Sequence, residues 1–546
     1  MTMAEQNAGD GTQVFVRMYR ALGVGSEPYK GLLGDCFLIR IVRPDGARSH
    51  ILIDCGILMG SPQAAERMKT IARDIVATTG GKLDLIVVTH EHWDHISGFG
   101  QAREVFLDGG IDIGRVWMAW TEDAEDPATK AIRQDLDKRS FALATLANRM
   151  EAARTSGDPH HASLAADRQA AMAGLDAFLG PVGEDQPAAP TDSPAFAATP
   201  MGMKASATAR LQGRDILAKL KTAAGDKVDY LIPGMVKEAP GGLRTFVLGP
   251  PKAAKFLKKD KPSSGAAQET YFDAPGFEDL LLRVADGGTP DPARDSPFSA
   301  VHHRIRRADV ESLDPAGVAP GAGLRSETSL RSDTGVLAWL KQRYFAPTDA
   351  GGNDLARRRV DADWLGAAGP LAMKLDSDTN NTSLVLAFEL PDGTLMLFPG
   401  DAQVGNWLSW HEQTYAAGDR TWTAEELLNR VRFYKVGHHG SHNATLDEKG
   451  LAMMTHPDLV AAIPTDEDLG KRQGSKGWEM PNARVRQALL KATGGRIFRN
   501  DAGKPDEAAW AEDPDTRAFP FPHDFAARLV AKDLYLEYAV HGPGYA

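Results

Sequence analysis

Two cysteines, Cys36 and Cys55, are all that the 546 residues contain. That scarcity argues against a disulfide-stapled fold, because scaffolds that depend on such bridges are dense in cysteine. Buried thiols are the expectation, with a bridge between neighbouring strands as the alternative. No run of about 18 apolar residues occurs, so no segment reads as a membrane span. The opening stretch MTMAEQNAGDGTQ has neither the basic start nor the apolar middle of a signal peptide. An excess of positive charge is also missing: 62 Lys and Arg stand against 73 Asp and Glu, a formal net charge of -11. A surface that binds phosphate chains everywhere is thereby excluded, while a local basic groove is not. No fixed period repeats, which sets aside solenoids and propellers. The expectation is a cytoplasmic protein without membrane contact.

What is present is a globular composition, 42% hydrophobic and 25% charged, in a chain longer than one ordinary core. One hexapeptide stands out, His90-Glu91-His92-Trp93-Asp94-His95, directly after the apolar Leu85-Ile86-Val87-Val88. Three imidazoles and a carboxylate in six residues form a density of metal-ligand groups that a packed core has no use for. A strand of this length and β-branched content, ending in a polar loop, places those groups at a sheet edge. His90 and His92 can then converge on one cation while Asp94 and His95 face a second.

Strand and helix signals alternate through the first 121 residues, with a hairpin marked by Pro44-Asp45-Gly46, and this pattern is that of an α/β domain. Residues 122–242 read as a helical insertion, with helices near 127–155, 160–180 and 205–222 around an exposed loop at Pro187 to Pro194. Residues 243–252 return a strand to the core, and 253–375 read as an irregular insertion or lid. Alternation resumes over 376–546, with a hairpin across Pro391-Asp392-Gly393 and helices that include 445–454. One α/β body assembled from both ends of the chain is the expected organisation.

Three other apolar strands run into groups that suit a metal. Ile51-Leu52-Ile53 ends at Asp54, Leu395 to Phe398 runs through Pro399-Gly400 to Asp401, and Val431 to Val436 leads to Gly437-His438-His439-Gly440-Ser441-His442. Asp401 is the natural bridge, since a carboxylate has two oxygens to share between neighbouring cations. His439 is favoured over His438 as the ligand because Gly440 permits close backbone approach. Asp54 suits the task of orienting a ligand histidine through its other ring nitrogen. Lys252, Lys255, Lys258, Lys259 and Lys261, and separately Arg304, Arg306 and Arg307, form two basic runs able to guide phosphates or simply to face solvent.

Together IDCG at 53–56, THEHWDH at 89–95, PGDA at 399–402 and KVGHHGSH at 435–442 resemble the metallo-β-lactamase superfamily of metal-dependent hydrolases. Gly34-Asp35, Leu248 to Pro251, Asn380-Asn381-Thr382-Ser383 and the later MPNARVRQALLKATGGRIFRND are similar to the domain of that type in competence DNA-uptake channel proteins, here without the membrane channel. The resemblance implies an αββα sandwich with large helical and irregular insertions. It also implies a hydrolase using a metal-bound hydroxide on one or two Zn²⁺ ions, with Mn²⁺ as an alternative. His90 and His92 would hold the first ion, Asp94, His95 and His439 the second, and Asp401 would bridge. Asp94, His438 and His442 are the expected catalytic groups, and Asn381 and Ser441 the expected substrate contacts. The superfamily usually adds a histidine between HxHxDH and the bridging acid. This chain offers only His160, His161, His302 and His303 there, so Asp378, Asn380 or Asn381 stands as a substitute near the first ion. The expected substrate is a phosphodiester, a nucleic acid or a smaller one. The alternatives are a lactone, thioester, amide or phosphocholine-type ester, or a partner-binding protein with a structural metal, its insertions meeting the partner.

Overall fold

Period-two alternation along the strands decides which layer each side chain enters. In Cys36–Val42, Phe37, Ile39 and Ile41 join one buried cluster while Cys36 and Leu38 join another on the opposite face. Leu386, Phe388, Met396 and Phe398 point into the first of these clusters, and Val385, Ala387, Leu395 and Leu397 into a third. Strands covered on both faces read as nearly continuous apolar runs, as these do. The computed structural model describes residues 11–20, 31–137, 154–155, 206–259, 333–346, 368–473 and 477–543.

An eight-stranded sheet takes the order Leu529–Ala531, Tyr535–His541, Gln13–Tyr19, Cys36–Val42, Arg48–Cys55, Leu85–Val88, Val116–Ala119, Val228–Leu231. A seven-stranded sheet takes the order Ile497–Arg499, Val460–Ile463, Val431–Lys435, Leu395–Phe398, Val385–Glu389, Leu243–Gly249, Val236–Ala239. Both sheets contribute to one cluster between them. The helices Ala64–Thr79, Trp93–Gln101 and Ser206–Ala224 pack on the outer face of the first, and Val404–Trp410, Ala424–Leu428 and Ala483–Thr493 on that of the second. In each sheet the strands nearest the site are parallel: Arg48–Cys55 with Leu85–Val88, and Leu395–Phe398 with Val431–Lys435. Loops beyond the carboxyl ends of parallel strands are where α/β proteins hold ligands.

The expected hairpins form, with Gly46 at φ 83° and Gly393 at φ 82°, and with Asp45 and Asp392 accepting from the backbone of Ala47 and Thr394. Cys36 and Cys55 are register partners, buried and unbridged. The expected helix at 445–454 is reduced to a short turn at Leu451–Met453, because Gly450 takes φ -149° and ψ -98°, which no helix passes through. Val228–Leu231 and Val236–Ala239 are sheet strands inside the span read as a helical insertion, and the helix Ser206–Ala224 packs on the first sheet, so 122–242 is helical only in part. These edge strands are four residues long and half exposed, too short to show an alternation in sequence. The helix expected at 160–180, the loop at Pro187 to Pro194, His160, His161, His302, His303, Lys261 and the three arginines at 304–307 lie outside the described residues. Among those described, no helix is long and apolar enough to cross a membrane.

Candidate metal centre

The hexapeptide straddles the start of a helix. His92 is the residue before it, and Asp94 and His95 lie in the first turn of Trp93–Gln101. This turn is pressed against the loop after Arg48–Cys55: a Cβ on Gly56 would lie 2.2 Å from the carbonyl carbon of Asp94, so only glycine permits the contact. Backbone bonds from Asp35 N to Asp94 O and from Gly56 N to Asp35 O, each 2.9 Å, stitch the same loops. Leu384 N donates to Thr89 O at 2.8 Å, tying the second sheet to this edge. From that sheet, Asp401 follows Leu395–Phe398, and His438 and His439 occupy a turn with φ 43° and 54°. Positive φ at non-glycine residues costs on the order of 1–3 kcal/mol each, strain of the kind concentrated at functional sites. Asp54, at φ 52°, is strained in the same way. Gly440 serves differently from the expectation: its missing Cβ makes room for Pro481, 2.6 Å away, and not for the site.

Asp94, His95, Asp401 and His439, all fully buried, each offer a ligand atom within 4.8 Å of the others. Their outward nitrogens are already committed. His95 Nδ1 lies 2.7 Å from Asp54 Oδ2 and His439 Nδ1 2.7 Å from the carbonyl oxygen of Pro464, so in a neutral ring both Nδ1 atoms carry the proton. The remaining Nε2 lone pairs then face carboxylates: His439 Nε2 stands 2.9 Å from Asp94 Oδ2, and His95 Nε2 3.1 Å from Asp401 Oδ2. Two acceptors at such distances repel unless a proton or a cation lies between them. Asp94 Oδ1, Asp401 Oδ2 and His90 Nε2 are buried without hydrogen-bond partners, as atoms awaiting a cation would be. The donor set, imidazole nitrogen with carboxylate oxygen, suits a zinc-like divalent ion.

Asp54 accepts from Thr89 N at 2.8 Å and Thr89 Oγ1 at 2.7 Å as well as facing His95. Having given its one proton to Asp54, Thr89 Oγ1 accepts from His90 Nδ1 at 3.1 Å, which leaves the His90 Nε2 lone pair open. His90 and His92 stand side by side, ring centroids 4.7 Å apart, but do not enter the four-residue group. His438 N donates to Asp401 Oδ1 at 3.0 Å, and its ring packs beside Gln403. His442 is half-buried, and the Ser441 hydroxyl donates to Asn443 Oδ1 at 3.1 Å. Asn381 departs from its expected role as a substrate contact. It is buried, with Oδ1 accepting from Asn406 N at 3.2 Å and Nδ2 donating to Lys259 O at 2.9 Å, so both ends of its amide are used in packing. Asp378 is turned to Lys374, 2.8 Å away.

Three residues of the site were not singled out in the sequence for what they do here. Lys435, 1% exposed at a strand end, contacts Asp35 and lies 3.3 Å from Asp401 Oδ1 and 2.9 Å from Gly400 O. Asp35 thereby joins the site, in a second acidic group with Asp54 and His95. Lys435 already supplies the cation of that group. Asp376, on the helix Ala368–Asn380, lies 3.9 Å from His92. Asp35, Asp54, Asp94, Asp376 and Asp401 thus gather around the histidines at this edge, and Lys435 pairs with Asp35 and Asp401.

Titration reflects this crowding. Burial holds His90 well below the ordinary histidine range and lowers His92 and His438 to about 4, so these rings are neutral at pH 7. Burial would lower His95 and His439 too, but the facing carboxylates outweigh it and raise both. Burial, with Asp94 and Asp401 nearby, holds Asp376 well above the usual carboxylate range. Metal-free protein therefore stores protons on groups that must shed them when a cation enters. Metal titration near pH 7 is expected to release at least one proton per molecule, with affinity falling as pH falls. Calorimetry in two buffers of different ionisation enthalpy reads this directly, and identical apparent enthalpies would refute it.

The family model described as Metallo-beta-lactamase superfamily matches residues 29–165, a span that holds Asp35, Asp54 and the whole hexapeptide. That superfamily consists mostly of hydrolytic enzymes that bind metal ions. No curated protein and no solved structure matches the chain.

Proposed function

We propose that this protein is a metal-dependent hydrolase of phosphodiesters, built on an αββα sandwich of the metallo-β-lactamase type. In this reading residues 1–121, 243–252 and 376–546 belong to the sandwich, and the intervening spans cover or extend it. The observation that carries the reading is the convergence of Asp94, His95, Asp401 and His439, with ring lone pairs turned on carboxylates. In this scheme His90 and His92 would hold a first divalent ion, zinc or manganese, Asp94, His95 and His439 would hold a second, and Asp401 would be shared by both. When bound, such ions lower the pKa of water and hold the charge that develops on the attacked centre.

The remaining steps fall to side chains. Asp54 and the Pro464 carbonyl fix the rings of His95 and His439 by their Nδ1 protons. Ser377 donates to Gln403 Oε1, which turns the Gln403 amide nitrogen toward His438 Nδ1, 3.5 Å away. The neutral His438 ring then carries its proton on Nε2, where it serves to hydrogen-bond or protonate a leaving group. His442, on the same loop, is the second proton donor in this scheme, and Ser441 a contact for substrate.

A compact phosphodiester fits better than a long polymer. Lys252, Lys255 and Lys258, read in the sequence as able to guide phosphates or to face solvent, are paired with Asp126, Glu412 and Asp135 at 2.7–2.9 Å, which cancels most of their pull on phosphate. The test is turnover of bis-p-nitrophenyl phosphate, single-stranded DNA and a lactone by metal-loaded protein. Phosphodiester cleavage is expected, falling by about 100-fold or more in His92→Ala and Asp94→Ala, the scale on which loss of charge stabilisation slows such reactions. Undiminished cleavage in both variants, or turnover of the lactone alone, would reject the proposal.

A further inference from the structure

The first ion lacks an evident third protein ligand beside His90 and His92, and the helix Ala368–Asn380 carries one. Residues four apart share a helix face, so Asp376 and Asn380 lie together while Lys374 and Asp378 lie on the other side. The contacts follow this phase. Lys374 pairs with Asp378, and Asn380 Nδ2 donates to Asp376 Oδ2 at 3.1 Å. Asn380 is fully buried, and its bond holds the Asp376 carboxylate in one orientation. The other oxygen, Oδ1, is buried with no hydrogen-bond partner and lies 3.9 Å from His92 Nε2.

That separation decides between two roles. At 3.9 Å the carboxylate is too far to accept a hydrogen bond from the ring, so it does not orient His92 from behind. Two atoms bound tetrahedrally to one zinc-like ion, each at about 2.0–2.2 Å, stand about 3.3–3.6 Å apart, so Oδ1 and Nε2 need to close by only a few tenths of an ångström to share one. His90, the neighbour of His92, has its Nε2 lone pair open and no hydrogen-bond partner there.

We infer that Asp376 is a ligand of the first ion, completing with His90 and His92 the set that Asp401 bridges to the second ion. Asn380 is its positioning residue. The inference rests on the metal-dependent reading above and adds a carboxylate where the resemblance leads one to expect a histidine. A carboxylate there brings negative charge to the ion and makes it a harder, more oxygen-rich site than an all-imidazole one.

The experiment is metal counting on the full chain, by elemental analysis after equilibration with limiting free Zn²⁺, with a folding check by circular dichroism. Wild type is expected to hold two ions, and Asp376→Asn, which keeps the shape, one. Asp378→Asn should hold two and His92→Ala one. The affinity of the lost ion should fall by more than the roughly 10–100-fold that removal of an outer hydrogen-bonding partner costs. Asp376→Glu, which restores a carboxylate, is expected to recover part of it. Two tightly held ions in Asp376→Asn, or a single ion in wild type, would overturn the assignment of Asp376. Wild type holding no ion would instead overturn the metal-dependent reading itself, so the two failures are distinguishable.

Discussion

Asp401→Asn is expected to reduce turnover by on the order of 10³-fold while leaving the protein folded. A bound ion contributes several kcal/mol of charge stabilisation in the transition state, and each ~1.4 kcal/mol is a factor of ten in rate. Asp401 lies in the buried group with Asp94, His95 and His439, the proposed scheme makes it the carboxylate shared by both ions, and its Oδ2 has no other hydrogen-bond partner. The fold survives because asparagine retains an oxygen for His438 N, now 3.0 Å away, and Lys435 retains Asp35. Steady-state rates on bis-p-nitrophenyl phosphate, taken with the metal content of the same sample, check this. A variant that keeps both its ions and more than about a tenth of the rate would remove Asp401 from the centre.

Lys435→Met is expected to be the most destabilising single change at the site, costing metal-free protein about 3–5 kcal/mol. Methionine fills the volume but leaves Asp35 and Asp401 buried beside one another without their ammonium. Burial by itself would lower the lysine pKa, yet Asp35 and Asp401 raise it above its usual 10.5. A cation raised in this way stabilises the fold fully below its unfolded-state pKa and loses that contribution only as pH rises through the folded-state value. At pH 7 the whole effect is present. Urea denaturation of metal-free wild type and variant measures it, and a loss below about 1 kcal/mol, the scale of an exposed pair, would contradict the buried-pair account. Lys435→Met combined with Asp35→Asn should recover much of the loss, because a buried charge left alone is the cause.

Much of the fold was legible because its strands are buried on both faces, and such strands are written as unbroken apolar runs. The hexapeptide was legible for a related reason: its candidate ligands are consecutive in sequence and follow one of those strands. Asp401 and His439 follow two more. Lys435 was not singled out because a charged residue closing a strand ordinarily faces water, and only the opposing loop of Asp35 turns it inward. Asp376 was missed in favour of Asp378, Asn380 and Asn381. Choosing among them requires the phase of a helix whose apolar pattern is weak, and the partners Lys374, Asn380 and Lys259 that fix the phase are visible only in three dimensions. The lysines after Pro251 showed their charge in sequence but not the acids that cancel it, which lie more than 100 residues away along the chain.

Asp94 and His439, 2.9 Å apart in space, are 345 residues apart in the chain, and Arg17 reaches its partner Glu537 across 520. On a ribosome adding about 5–20 residues per second, roughly 20 to 70 s pass between the emergence of the first half of the site and the second. Throughout that interval His90, His92, Asp94 and His95 have no opposing wall, and the first sheet still waits for two of its strands, Leu529–Ala531 and Tyr535–His541. The ion capture proposed above therefore waits until His439 has emerged to close the group. A fragment confined to residues 29–165 would carry the signature of the site without Asp376, Asp401, Lys435 or His439 to close it.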